Sequence, residues 1–221
     1  MKFVHNIPKN AIITLAGTVG VGKSTLTTRL SEAIDFKPAY ESVQNNPYLE
    51  DYYKDFKRWA FHLQVYFLAE RFKQQKEMVA SGGGYVQDRS IFEDYQIFGK
   101  LQYESGNMSD RDFLAYSSMF EAMTMDPYFP KPDLLIYVNG SFDSIINRMQ
   151  QRGRPMELET PVSYWENLYQ RYQTWINNFQ LCPVLQLDID SYDCEDHESL
   201  QEIVTSISTM LQKHTRIQRA R

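Results

Sequence analysis

The chain has 221 residues, 43% hydrophobic and 23% charged, enough for one sizeable core and too few for a large multidomain machine. Its net charge of −5 argues against a binder of the nucleic-acid backbone, and the two cysteines, Cys182 and Cys194, form neither a metal spacing nor a disulfide framework. No apolar run approaches membrane-spanning length, and the polar start, Met1 to Asn10, does not read as a signal peptide, so a reducing, cytoplasmic setting and no membrane partner are expected.

Ala11 to Ala16 is a short apolar run rich in β-branched residues, a buried strand. It leads into Gly17-Thr18-Val19-Gly20-Val21-Gly22-Lys23-Ser24, which fits the phosphate-loop pattern G-x-x-x-x-G-K-[ST]. Glycines let the backbone wrap closely and turn several N–H groups inward, and the following helix adds its positive end. Lys23 is expected to reach the β- and γ-phosphates, and the Ser24 hydroxyl to bind Mg²⁺. With Thr25 in the first turn beyond it, this loop is the expected ATP site, followed by a helix from about Lys23 to Ile34.

A second extended piece, Lys37 to Glu41, opens into the polar string Glu41 to Pro47, at the kind of strand end where open α/β sheets hold ligands. The longest predicted helix runs from about Asp55 to Ala80, and its middle is apolar nearly all round, so burial on more than one side is expected. Gln64 and Arg71 lie seven apart on one face and need polar partners. Ser81 to Gly84 ends that helix; Tyr85 to Asp88 then reads as a strand with Asp88-Arg89-Ser90 at its carboxyl end.

Helical pattern resumes over Ile91 to about Ser105 and again from Ser109 to about Met125; Pro127, Pro130 and Pro132 make a stiff connector. Asp133 to Val138 is the clearest buried strand. Phe142 to Gln151 is a short helix, then Arg148, Arg152 and Arg154, with Gly153 between the last two, suggest a flexible lid over a triphosphate. A helix from Pro161 to Phe179, a strand from Pro183 to Asp188 and a helix from His197 to Lys213 follow, then a basic tail, 213–221, expected to be frayed. Strands alternating with helices predict a parallel sheet with helices on both faces, in one α/β domain, 1–221.

Phosphoryl transfer needs a phosphate cradle, a metal with ligands, positive charge on the transferring group and a group that deprotonates the acceptor. Asp88, at a strand end, suits the metal better than the 133–138 strand, which ends in Asn139. Glu41 is placed for the base, and Arg89 for holding Glu41 or the acceptor oxygen. An Asn-Lys-x-Asp guanine-reading motif is absent, which argues against a GTPase.

With those residues in hand, the chain resembles deoxyribonucleoside kinases of the deoxycytidine kinase and deoxyguanosine kinase type, most of all the bacterial deoxyadenosine/deoxycytidine kinases, over about residues 9–212. The resemblance implies that Glu41, followed by Val43, takes the proton of the 5′-hydroxyl. It implies that Asp88 stands near Mg²⁺ and Arg89 near the 5′-oxygen. Gln64 would pair with the base edge, and Tyr53 with Glu157 would hold the 3′-hydroxyl. Arg148, Arg152 and Arg154 match the lid arginines, with a lid at about 148–160. Arg71 and Asp94 would sit beyond Gln64 against the base, where an acid accepts from an exocyclic amine. That favours adenine or cytosine over thymine and leaves guanine open. The match near Asp190 to Asp193, where the family recognises the donor's adenine, is weak.

The resemblance further implies a P-loop kinase fold with a five-stranded parallel sheet, a homodimer packed through helices, and feedback inhibition by an end-product deoxynucleoside triphosphate. The expected activity is ATP-dependent phosphorylation of a deoxyribonucleoside 5′-hydroxyl in nucleotide salvage. Rival readings are a deoxyguanosine-preferring kinase, a thymidylate-kinase-like monophosphate kinase and a non-enzymatic nucleotide switch. The monophosphate kinase would need a phosphate-binding arginine where this chain has Tyr53 and Gln64. The switch would leave Glu41, Asp88 and the lid arginines idle.

Overall fold

Five parallel strands form the centre of the molecule in the order β2-β3-β1-β4-β5. They are β1 Ile12–Ala16, β2 Lys37–Ala39, β3 Tyr85–Asp88, β4 Leu134–Asn139 and β5 Val184–Asp188. The computed structural model describes residues 2–41, 43, 46–125, 129–193 and 195–219, with side chains as far as 214. Cys194 and Pro127, singled out above, lie outside the described residues, as do the last two residues of the basic tail.

β1 and the first five residues of β4 are wholly buried, which is why both read as near-continuous apolar runs. Between them the register pairs Leu15 with Ile136, and on the other side Leu15 with Asp88. The phosphate loop therefore leaves the central strand beside the end of β3, and Asp88 stands next to it by register alone.

The helices are α1 Lys23–Ile34, α2 Leu49–Lys54, α3 Phe56–Ala80, α4 Ile91–Glu93, α5 Lys100–Glu104, α6 Asp110–Thr124, α7 Phe142–Arg152, α8 Pro155–Leu158, α9 Val162–Asn177 and α10 His197–Arg219. Local chemistry sets several starts. Asp55, Ser109 and Ser141 each accept a backbone N–H three residues on, the N-cap bond that satisfies an orphan donor. Along α3, Ala60, Leu63, Gln64, Leu68, Arg71, Gln75 and Met78 form one buried stripe, and no residue from 59 to 72 is fully exposed. This agrees with the burial expected from its apolar middle.

Four details differ from the sequence reading. β2 stops at Ala39, so Glu41 stands in irregular backbone beyond the strand. The helix expected over 91–105 contains a π segment, Asp94–Gly99, between α4 and α5. The lid arginines are not all on a loop: Arg148 and Arg152 belong to α7, and Arg154 precedes α8 after a left-handed turn at Gly153. Finally, α10 continues to Arg219, beyond the end expected at Lys213.

Candidate active site

The carboxyl ends of β1 and β3 open onto a cavity of about 870 Å³. Its lining includes Lys23, Ser24, Thr25, Glu41, Val43, Tyr53, Gln64, Asp88, Arg89, Asp94, Arg148, Arg152, Arg154 and Glu157. Lys23 and Glu157, 134 apart in sequence, thus meet in one space. Of the loop residues named from the sequence, Val19, Gly20 and Gly22 also line it, whereas Val21 is buried in the core.

Close packing explains the loop's glycines. A Cβ on Gly17 would lie 2.3 Å from the Val138 carbonyl oxygen, and one on Gly20 would lie 2.4 Å from Met149 Cγ on α7. Both also have positive φ, at 148° and 87°. The loop is thereby wedged between β4 and the helix that carries Arg148. Lys23 Nζ donates to the carbonyls of Gly17 at 2.8 Å and Thr18 at 2.9 Å. Burial, with Arg89 nearby, brings its pKa down to about 8, although Asp88, Glu93 and Glu41 oppose the shift.

Ser24 Oγ donates to Asp88 Oδ2 at 2.6 Å. The other oxygen, Asp88 Oδ1, is buried without a hydrogen-bond partner. A hydroxyl and an under-used carboxylate beside a phosphate loop are the oxygen donors Mg²⁺ takes, since it binds through one or two protein groups plus phosphates and water. Among the described residues there is no cluster of three or more His, Cys, Asp or Glu that could hold a metal by itself.

Glu41 lies between two arginines. Arg71 Nη2 donates to its Oε1 at 3.1 Å, and Arg89 Nε lies 2.9 Å from the same oxygen. The Arg89 N–H is not aimed along that contact and finds no hydrogen-bond acceptor. Burial pushes the Glu41 carboxyl up, but Arg89 and Arg71 outweigh it, and the net shift is below the ordinary glutamate value. Glu41 is therefore a ready anion near neutral pH.

Arg89 is held in an unusual way. Its φ is +73°, a left-handed conformation for a non-glycine residue, which costs about 1–3 kcal/mol and persists where surroundings over-determine it. Its guanidinium lies 4.6 Å from the Phe98 ring centroid, and its Nη1 donates to the Tyr172 hydroxyl and lies 3.4 Å from Glu93 Oε1.

Arg71, a sequence-predicted site residue, is buried behind the cavity lining: its Nε donates to Asp94 Oδ2, which does line the cavity, at 3.1 Å, and its Nη1 to the Asp88 carbonyl at 2.9 Å. Burial raises the Asp94 carboxyl, and Arg71 offsets only part of that. Gln64 is 2% exposed, and its Oε1 has no hydrogen-bond partner. A buried orphan amide oxygen on a cavity wall is a feature that a ligand donor would complete.

At the opposite wall, Glu157 is buried and paired with Arg152 at 2.5 Å and Arg154 at 3.3 Å. The resemblance gives Glu157 and Tyr53 a shared task, holding the 3′-hydroxyl. Tyr53 lines the same cavity, and burial, then Tyr164 and Glu157, raise its hydroxyl. Arg148 reaches over the loop: a Cβ on Gly22 would sit 3.3 Å from its Nη1.

Several lining residues escaped the sequence reading. Phe67 was legible only as part of an apolar stripe. Phe98 falls in the π segment, whose wider turn shifts side chains off the 3.6-residue period, so helical spacing from Asp88 misplaces it. A second cavity, of about 220 Å³, adjoins the loop on its other side and is lined by Thr25, Arg148, Asp188, Ile189, Tyr192 and Asp193 among others.

The fold and these residues have relatives. A family model described as Deoxynucleoside kinase matches residues 13–212. A deoxyadenosine/deoxycytidine kinase of Bacillus subtilis strain 168 is 56% identical over 208 residues, covering 94% of this chain and 96% of that protein. A deoxyguanosine kinase of Lactobacillus acidophilus is 38% identical over 200 residues, covering 87% of each. The structure of a deoxyadenosine kinase from M. mycoides with the products dCMP and dCDP superposes with a TM-score of 0.76 at 32% identity, covering 87% of this chain and 96% of that one. No helix among the described residues is long and apolar enough to cross a membrane. The family match runs from the central strand through every cavity residue named above, and the chain belongs to the deoxynucleoside kinase family, enzymes that transfer a phosphoryl group to a deoxynucleoside.

Proposed function

We propose that this kinase phosphorylates the 5′-hydroxyl of deoxyadenosine and deoxycytidine with ATP as donor, in nucleotide salvage. The observation that carries the base preference is the Arg71–Asp94 pair beside the orphan Gln64 amide. An ionised acid held by an arginine accepts from an exocyclic amine, and Gln64 donates and accepts along the ring edge. The name of the 56% identical Bacillus subtilis relative supports the same pair of substrates.

In this reading Glu41 accepts the proton of the 5′-hydroxyl, and Arg89 steadies the oxygen as it attacks in line. Lys23 and the loop amides bind the donor phosphates, with Arg148, Arg152 and Arg154 closing over them as a lid of about 148–160. Ser24 and Asp88 would hold Mg²⁺, which supplies positive charge against the transferring phosphoryl group. Tyr53 and Glu157 hold the 3′-hydroxyl. The 220 Å³ cavity, whose lining includes the acceptor carboxylates Asp188 and Asp193, is assigned to the donor base with its amine.

The resemblance supports a homodimer packed through helices. M. mycoides deoxyadenosine kinase structures with bound dATP and bound dCTP support feedback inhibition by a deoxynucleoside triphosphate. A cytoplasmic enzyme accords with the free thiol of Cys182. The test is transfer of labelled γ-phosphate from ATP to each of the four deoxynucleosides and their monophosphates. Labelling of deoxyadenosine and deoxycytidine is expected. Labelling of thymidine first, or of monophosphates alone, overturns the proposal.

A further inference from the structure

Glu93 is completely buried, yet the catalytic reading gives it no task. From sequence it is the last residue of Ser90-x-x-Glu93, a capping box, and its Oε2 does accept from the Ser90 N–H at 2.8 Å and the Ser90 hydroxyl at 3.1 Å. A cap explains that oxygen and leaves the other unexplained. Glu93 Oε1 accepts from the Tyr172 hydroxyl at 2.8 Å and from the Gly17 N–H at 3.3 Å, and lies 3.4 Å from Arg89 Nη1. One carboxylate therefore joins the first glycine of the phosphate loop, the arginine at the end of β3, the start of α4 and the middle of α9. Its side-chain partners are all donors, the setting that an ionised carboxylate satisfies.

Two of the three segments it joins at Oε1 are the ones whose spacing matters. Gly17 begins the donor cradle, at φ +148°, and Arg89 begins the acceptor side, at φ +73°. Arg89 is pulled from one end by Glu41 and from the other by Glu93 and Tyr172. Without the second pull its guanidinium would be free to turn wholly onto Glu41, and nothing among its side-chain partners would tie it to the loop.

We propose that Glu93, with Tyr172, is a positioning residue for phosphoryl transfer: it shares Arg89 between the base Glu41 and the phosphate loop, and so fixes the distance between the two substrate halves. The inference rests on the reading that Arg89 acts at the 5′-oxygen.

The test is steady-state kinetics of Glu93→Gln, Tyr172→Phe and the double variant, with melting temperatures to verify folding. The Gln amide keeps the volume but turns donors toward a site that needs only acceptors. A group that positions others acts on the transition state more than on bound substrate, so kcat of Glu93→Gln should fall about 10–100-fold, with KM for ATP and for deoxyadenosine within about threefold. Tyr172→Phe should lower kcat about threefold to tenfold, and the double variant should match Glu93→Gln, because both belong to one network. A kcat within about twofold of the parent in folded Glu93→Gln overturns the inference. So do raised KM values at unchanged kcat, or effects that multiply in the double variant. If Glu93→Gln does not fold, Tyr172→Phe decides by the same criterion. Arg89→Met separates the two levels: if it is inactive while Glu93→Gln is normal, only the role of Glu93 fails. If Arg89→Met is active, the assignment of Arg89 fails with it.

Discussion

Arg71 binds Glu41 and Asp94 at once, each at 3.1 Å, through Nη2 and Nε. The group that orients the acid proposed to read the base is also a partner of the group proposed to deprotonate the acceptor. In those proposed roles base recognition and catalysis would be joined through one guanidinium, which the stiff planar fork of arginine permits.

The double variant Arg71→Met with Asp94→Ala tests that wiring. Removing one charge-assisted hydrogen bond to the base is worth about 1.5–3 kcal/mol, or about 10–100-fold in selectivity. The ratio of kcat/KM for deoxyadenosine over thymidine should fall by that order, and kcat for every nucleoside should fall as well, because Glu41 loses a partner. An unchanged ranking across the four deoxynucleosides would show that the pair does not read the base.

Glu41→Gln removes the proposed base while keeping its shape. General-base catalysis contributes about 10²–10⁴-fold, so turnover should drop by that order while deoxynucleoside binding, followed by titration calorimetry, stays within about threefold. Near-normal turnover would remove Glu41 from the mechanism.

The pH profile follows from the sign of the Glu41 shift. The folded value lies below the ordinary 4.5 because Arg89 and Arg71 outweigh burial. Glu41 therefore stays ionised as pH falls to 5, and no acid limb of kcat/KM should arise from it above that pH. Arg71→Met removes one of the positive charges that oppose burial and should move the limb to higher pH. Profiles from pH 4.5 to 8 for parent and variant check both statements.

Asp88→Asn leaves Ser24 a hydrogen-bond partner but removes the anionic oxygens assigned to Mg²⁺. The Mg²⁺ concentration giving half-maximal rate should rise about tenfold or more, as supporting metal contacts typically count for 10–100-fold. An unchanged requirement would place the metal elsewhere.

Glu157 offers a test at the sugar. Its bonds to Arg152 and Arg154 compete with any bond to a 3′-hydroxyl. Replacing it with Gln should erase most of the preference for a 2′-deoxynucleoside over its 2′,3′-dideoxy analogue, measured as a kcat/KM ratio. If the parent shows no such preference, the assignment of Glu157 to the 3′-hydroxyl is wrong.

What the sequence alone determined was local. Gly17 to Ser24 requires a close-wrapping backbone whatever surrounds it, and the β-branched and apolar runs at 11–16 and 133–138 require burial on both faces, which means a parallel sheet. From the strand–helix alternation the layering followed, and the resemblance located Glu41, Gln64, Asp88 and Arg89 on elements whose ends converge. The tertiary structure decided which charges share partners. Arg71 meets Glu41 across 30 residues, and Gly17 meets Glu93 across 76. Those contacts depend on how α3 and α4 pack on the sheet, which no 3.6-residue pattern encodes. An ion pair in a dry interior is set by ångström-scale placement, whereas a sequence pattern fixes only which face a side chain occupies. The Ser90-x-x-Glu93 spacing encodes no more than a helix cap, and only the folded chain turns the second Glu93 oxygen toward the site.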